Sequence, residues 1–123
     1  MQWQEVRENQ SLKNLSFKIA LNNQGQVLMT TVKVNHSILQ GKIIGALYKN
    51  LTGGEALAEC AIRTKHGTKV ADVARVSNDL LEKIEIECSI APEICIEVLS
   101  FSNTKREINE KKAIYFEQGA LEY

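Results

Sequence analysis

The sequence predicts an α+β domain in which helices pack on one mixed sheet. Three observations point there. Strand-like segments at 56–64, 68–76 and 92–100 follow one another, with a turn and a short polar stretch between them. Helix-like runs flank them, over about 35–51 and from Lys105 onward. Two carboxylates, Asp72 and Glu97, interrupt strand patterns that are otherwise apolar.

A chain of 123 residues is expected to form one domain over 1–123, with a real core but no room for two. The composition is that of an ordinary globular protein, 44% hydrophobic and 24% charged. A formal net charge of zero weighs against non-specific coating of nucleic acid, though not against a local basic patch. Lys105, Arg106, Lys111 and Lys112 do cluster, but Glu107 and Glu110 lie among them; on charge alone this is a solvated helix face. The start, MQWQEVRENQ, lacks a signal peptide's apolar segment, and no long apolar run follows, so a cytoplasmic protein with no membrane partner is expected. Cys60, Cys88 and Cys95 are odd in number and lack Cys-x-x-Cys spacing, which favours buried free thiols over a disulfide or metal site.

Residues 1–14 are polar, with Trp3 and Val6 as the anchors of a short helix. LSFKIAL puts Leu15, Phe17, Ile19 and Leu21 on one strand face, NNQG turns, and QVLMTTVKV completes a hairpin. Asn35 or Ser37 is the expected cap of the next helix. Its apolar stripe is Leu39, Ile43, Leu47 and Leu51, and Gly41 and Gly45 suggest close packing on a neighbour. Thr52-Gly53-Gly54 ends it. ALAECAIRT, a turn at Lys65-His66-Gly67, and TKVADVARV then form two strands, and Ser77 or Asn78 caps a short helix. PEICIEVLS is apolar on both faces apart from Glu93 and Glu97, so it is expected in the middle of the sheet. KREINEKKAIYFEQ is helical, Gly119 stops it, and ALEY begins a further strand.

The inward charges are the candidates for chemistry. Asp72 is the one charge on the face shared by Val70, Ala74 and Val76, and Glu97 sits among apolar neighbours. Two acids from neighbouring strands repel in a low dielectric unless a pKa rises or a cation intervenes. A hard divalent cation such as Mg²⁺ answers that problem with carboxylate oxygens, waters and substrate phosphate. On the last helix, Lys111 and Lys112 fall on either side of the stripe drawn by Ile108 and Tyr115, and periodicity does not choose between them. The blander readings are ion pairing or an edge-strand position for the acids and a solvated lysine. His36 and His66 carry no metal-site spacing.

Taken together, ADVARVS, PEICIEVLSFSNT and EINEKKAIYFEQGALEY resemble the Uma-type family of restriction endonucleases, a branch of the PD-(D/E)XK nuclease superfamily. The likeness covers roughly 17–123, with GEALAECAIRTKHGTKVADV and the hairpin-then-His36 entry also familial. It implies a restriction-endonuclease-like αβββαβ core behind an N-terminal β-hairpin, with Mg²⁺ or Mn²⁺ between the second and third strands. Asp72 matches the aspartate of the family's Pro-Asp motif, and Glu97 the glutamate of its Glu-Val-Leu-Ser motif. Lys111, rather than Lys112, matches the helix lysine four residues before Tyr115, and Glu59 lies where an auxiliary acid belongs. The implied activity is metal-assisted hydrolysis of DNA, with Asp72 and Glu97 holding the ion and Lys111 orienting water or stabilising the transition state.

Ala71 replaces the usual proline, Arg75 an apolar residue, and Phe101 interrupts Ser-Pro-Ser; Leu99 stands where many superfamily members carry a strand lysine. The family continues into another core strand beyond the position of Tyr123. The expectation is therefore a missing or truncated last strand, with the sheet completed in a homo-oligomer such as a dimer, or a remnant with impaired activity. Two other readings stand beside the nuclease. One is an inactive binding or oligomerisation module. The other is a structural domain whose inward acids pair with Arg63 or Arg75.

Overall fold

The computed structural model describes residues 1–12, 17–31, 33–100 and 103–123, and of Phe17 and Thr31 the backbone alone. The expected strand residue Leu15 and the departure at Phe101 lie outside the described residues. The fold is α+β. Its elements are α1 (Trp3–Glu8), β1 (Phe17–Leu21), β2 (Val27–Thr31), α2 (Val34–Asn50), β3 (Glu55–Thr64), β4 (Gly67–Val76), α3 (Asn78–Leu81), β5 (Ile94–Ile96) and α4 (Lys105–Glu117).

β1 and β2 form the expected antiparallel hairpin, and β3, β4 and β5 form an antiparallel sheet in that order. Of these three strands β4 is the middle one, and the Pro92–Ser100 segment joins it through β5. β4 is buried on both faces, with Ala71, Val73, Ala74 and Val76 all at 0% exposure. β5 is shorter than expected for a local reason: the Val98 backbone N–H goes to the Asp72 side chain, not to a strand neighbour. On the far side of β5, Cys95 N–H donates to Glu122 O at 3.0 Å and Glu122 N–H to Glu93 O at 2.9 Å. This is a parallel bridge, so the sheet is mixed and the ALEY segment does begin pairing there.

Gly67 explains where the hairpin sits. Its φ is +95°, and a Cβ there would collide with the Asn22 backbone, so the β1–β2 turn packs directly on the β3–β4 turn. That contact lays β1 against β4. The core behind the sheet gathers Cys60, Ile62, Ala71, Cys88 and Cys95 around Tyr115 of α4, which is 0% exposed. The three thiols are free and buried, as composition implied, although Cys60 and Cys88 lie 3.5 Å apart at sulfur.

Helix α2 departs from the expected geometry. It starts at Val34 with Lys33 as its cap residue and no side-chain capping bond, so neither Asn35 nor Ser37 caps it. Ser37 instead points its hydroxyl back to the Lys33 carbonyl at 3.4 Å. Of the expected 39–43–47–51 stripe, Ile43 and Leu47 are half-buried, whereas Leu39 is 48% and Leu51 36% exposed. The face toward the sheet runs through His36 and Gln40, because both reach Asp72. Gly41 and Gly45 face open space and mark no close packing. Ser77 caps α3 as expected, accepting from Leu80 N–H, and Thr104 caps α4, accepting from Glu107 N–H.

Candidate active site

Between the hairpin, β4, α2 and α4 lies a cleft of about 500 Å³ with Asp72 and Glu97 on its wall. Strand alternation explains how they arrive there. Asp72 is at the middle of β4 and only 3% exposed. Glu97 follows β5 on the side of Cys95, which places it over Tyr115. One ammonium, Lys18 Nζ, reaches both carboxyl groups, 2.7 Å from Asp72 Oδ1 and 3.7 Å from Glu97 Oε2.

Every oxygen of the pair has a partner. Asp72 Oδ1 accepts from Lys18 Nζ at 2.7 Å. Oδ2 accepts from Val98 N–H at 2.8 Å, with His36 Nε2 3.2 Å away. Glu97 Oε1 accepts from the Tyr115 hydroxyl at 2.9 Å and lies 3.7 Å from Lys111 Nζ. Oε2 is 3.7 Å from the same Lys18 Nζ. Gln40 Nε2 donates to the Asp72 backbone carbonyl at 2.9 Å, tying α2 to the middle of β4.

The electrostatics follow from these contacts. Burial pushes the Asp72 carboxyl up, but hydrogen bonding with Glu97 and Lys18, the Lys18 charge and the Val98 N–H outweigh it and hold Asp72 below its usual value. For Glu97, burial wins. The Lys18 and Lys111 charges oppose it, Asp72 adds to it, and the Glu97 carboxyl rises. The pair thus divides its roles, with Asp72 the firmer anion. Burial, and then the Glu97 charge beside it, push the Tyr115 hydroxyl up, so it stays a proton donor to Glu97.

Of the residues singled out from the sequence, Asp72, Glu97 and Lys111 come together. Lys112 is exposed, so the helix turns Lys111 and not its neighbour to the cleft. Glu59 lines the cleft wall but makes no hydrogen bond or ion pair to Asp72 or Glu97 among the described residues. It is the residue that the β3–β4 ladder skips, between Ala58↔Val73 and Cys60↔Ala71, and its φ of 54° is rare for a residue with a Cβ. Leu99 is 59% exposed. Neither arginine pairs with the acids: Arg63 lies 3.6 Å from Glu87, and Arg75 donates to the Thr52 and Gly53 carbonyls.

Lys18, His36 and Gln40 were not anticipated. Lys18 carries the same signal as Asp72, a single charge inside an apolar strand pattern, but its face of β1 reads as the solvent side until the hairpin is docked. His36 and Gln40 are four apart and share one helix face, but polar residues at that spacing read as a solvent face until the helix is docked on β4.

The donor set fits a hard divalent cation: two carboxylates already arranged around one positive charge. The Tyr123 hydroxyl, buried on the same cleft, has no hydrogen-bond partner among the described residues. No cluster of three or more His, Cys, Asp or Glu side chains suited to a metal occurs among the described residues, so protein donors alone would not fill the ion's shell.

A family model, Uma2, described as "Putative restriction endonuclease", matches residues 3–123. The chain belongs to this family. Among solved structures, the Uma2-family chain is similar to one titled a "putative nuclease belonging to DUF820" from Anabaena variabilis ATCC 29413, with a TM-score of 0.57 and 18% identity. The match covers 72% of this chain and 54% of that one, so this chain spans about half of the neighbour's length, and at that identity the likeness establishes the fold. No curated protein matches the chain. Among the described residues of this family member, no helix is long and apolar enough to cross a membrane.

Proposed function

We propose that this Uma2-family protein is a metal-dependent nuclease that hydrolyses DNA phosphodiester bonds in the Asp72–Glu97 cleft. The observation that carries the reading is that Asp72 and Glu97 meet at one Lys18 ammonium, 2.7 and 3.7 Å away, with an amine of α4 3.7 Å from Glu97. Asp72 and Glu97 are the residues that would hold Mg²⁺ or Mn²⁺. When bound, such an ion supplies an activated water and neutralises charge that develops on phosphorus-bound oxygens.

The chain's own residues do the rest. Val98 N–H and Tyr115 fix one oxygen of each acid, so the pair is positioned before any ligand arrives. Lys111 offers a cation on the α4 side, suited to a phosphate oxygen in the transition state. Lys33 and Lys69 line the same cleft and add positive charge for a phosphate backbone. Burial, and then the neighbouring Lys111 charge, lower the pKa of the Lys69 amine, so an incoming anion would relieve it.

The test is nicking of supercoiled plasmid with Mg²⁺ or Mn²⁺. Wild type cleaves and Asp72→Ala does not; equal behaviour of the two after careful purification removes the catalytic reading. A second reading, a non-catalytic family member acting as a binding or oligomerisation module, is favoured by the 2.7 Å Lys18–Asp72 ion pair. It predicts no Mn²⁺ affinity by calorimetry.

A further inference from the structure

We propose that the Lys18 ammonium and a divalent cation compete for one position, so that metal enters the cleft only by displacing Lys18. This rests on the metal-dependent reading above and deepens it. The four carboxylate oxygens are divided into two kinds. Asp72 Oδ2 and Glu97 Oε1 are held by Val98 N–H and the Tyr115 hydroxyl, a backbone group and a side chain locked in the core. Asp72 Oδ1 and Glu97 Oε2 are the remaining two, and Lys18 Nζ lies 2.7 and 3.7 Å from them. A divalent cation held by both acids would draw on that second pair of oxygens. It cannot share them with a positive nitrogen at that distance.

Lys18 is the exchangeable partner. Its ammonium sits at the end of a flexible four-carbon stem, whereas Val98 and Tyr115 cannot move without opening the sheet or the core. The side chain is 17% exposed, so its head has a route to water. Leaving, its head gains hydration. The chain therefore carries its own counter-ion, which keeps two buried acids compatible with folding before metal arrives and which lowers the apparent affinity for that metal.

The experiment is Mn²⁺ titration calorimetry on the full chain, alongside metal-free thermal unfolding. Lys18→Met keeps most of the stem and removes the charge; Lys18→Gln is the second neutral variant should the first fail to fold. The neutral variant is expected to bind Mn²⁺ at least about tenfold more tightly than wild type. Its metal-free Tm should fall, and Mn²⁺ should raise that Tm by more than it raises the wild-type value. Lys18→Arg should stay near wild type in affinity. Wild-type binding with equal or weaker binding by the neutral variant overturns the competition and leaves the metal-dependent reading standing. Absence of Mn²⁺ binding in wild type and in both neutral variants removes both.

Discussion

The Asp72 carboxylate accepts the Val98 backbone N–H at 2.8 Å, and this one bond both ends the β5 ladder and sets Glu97 beside Asp72. A side chain from the central strand thus takes over where backbone pairing stops. Asp72→Ala would leave a buried N–H and the Lys18 ammonium without their acceptor. The expected cost is about 3 kcal/mol in urea unfolding. Asp72→Asn, which still offers one oxygen, should cost less.

Tyr115→Phe removes the hydroxyl that donates to Glu97 while leaving the ring in the core beside Tyr123, 5.6 Å between centroids. A loss of about 1.5–3 kcal/mol is expected, the size of one hydrogen bond to a charged group. Thermal and urea unfolding should report it with an unchanged m-value.

The two acids give opposite pH dependences. The Glu97 carboxyl is raised from 4.5, so its stabilising contribution is fully present below 4.5 and is lost as pH climbs through the raised folded value. The Asp72 carboxyl is lowered from 3.8, so its contribution is present above 3.8 and is lost as pH falls through the depressed folded value. Glu97→Gln should therefore gain stability relative to wild type at neutral pH, and that gain should shrink as the pH is brought down toward 4.5. A gain that stays constant with pH would contradict the raised Glu97 pKa.

Lys111 and Lys112 provide a paired comparison on one helix. Lys111 is half-exposed with its amine 3.7 Å from Glu97, so Lys111→Met should change stability by less than about 1 kcal/mol. Plasmid nicking by the same variant should fall about 10²–10³-fold, the usual effect of removing one group that stabilises transition-state charge. Lys112→Met should match wild type in both assays.

The thiols should be silent in the folded protein. Cys60, Cys88 and Cys95 are 6%, 2% and 0% exposed, and burial pushes Cys95 up to about 12. A chromogenic disulfide reagent at neutral pH should label none of the three until denaturant is added, and all three afterwards.

Some of this architecture is written locally and some is not. Ser77 and Thr104 cap their helices because a capping bond involves residues three apart, and Gly119 stops α4 with a φ of 113° for the same local reason. Asp72 and Glu97 stand out because strand alternation turns a charge among apolar neighbours into a burial problem that something must solve. The solution was not legible. Lys18 is 54 residues from Asp72 in the chain and meets it only because the Gly67 turn lets the Asn22 turn settle on it. The length expected for the Pro92 segment was not legible either: β5 has β4 on one side and Glu122 on the other, but a side-chain carboxylate captured the Val98 N–H that would have continued its ladder.

By itself the sequence determined the order of strands and helices, the two acids turned inward, and the three buried thiols, since each depends on the polarity of near neighbours along the chain. Only the tertiary structure decided that β4 is central, that His36 and Gln40 face the sheet, and that a lysine lies between the acids. Those outcomes depend on which surfaces meet when distant segments dock, and a charge is felt across a few ångströms of space whatever its separation along the backbone.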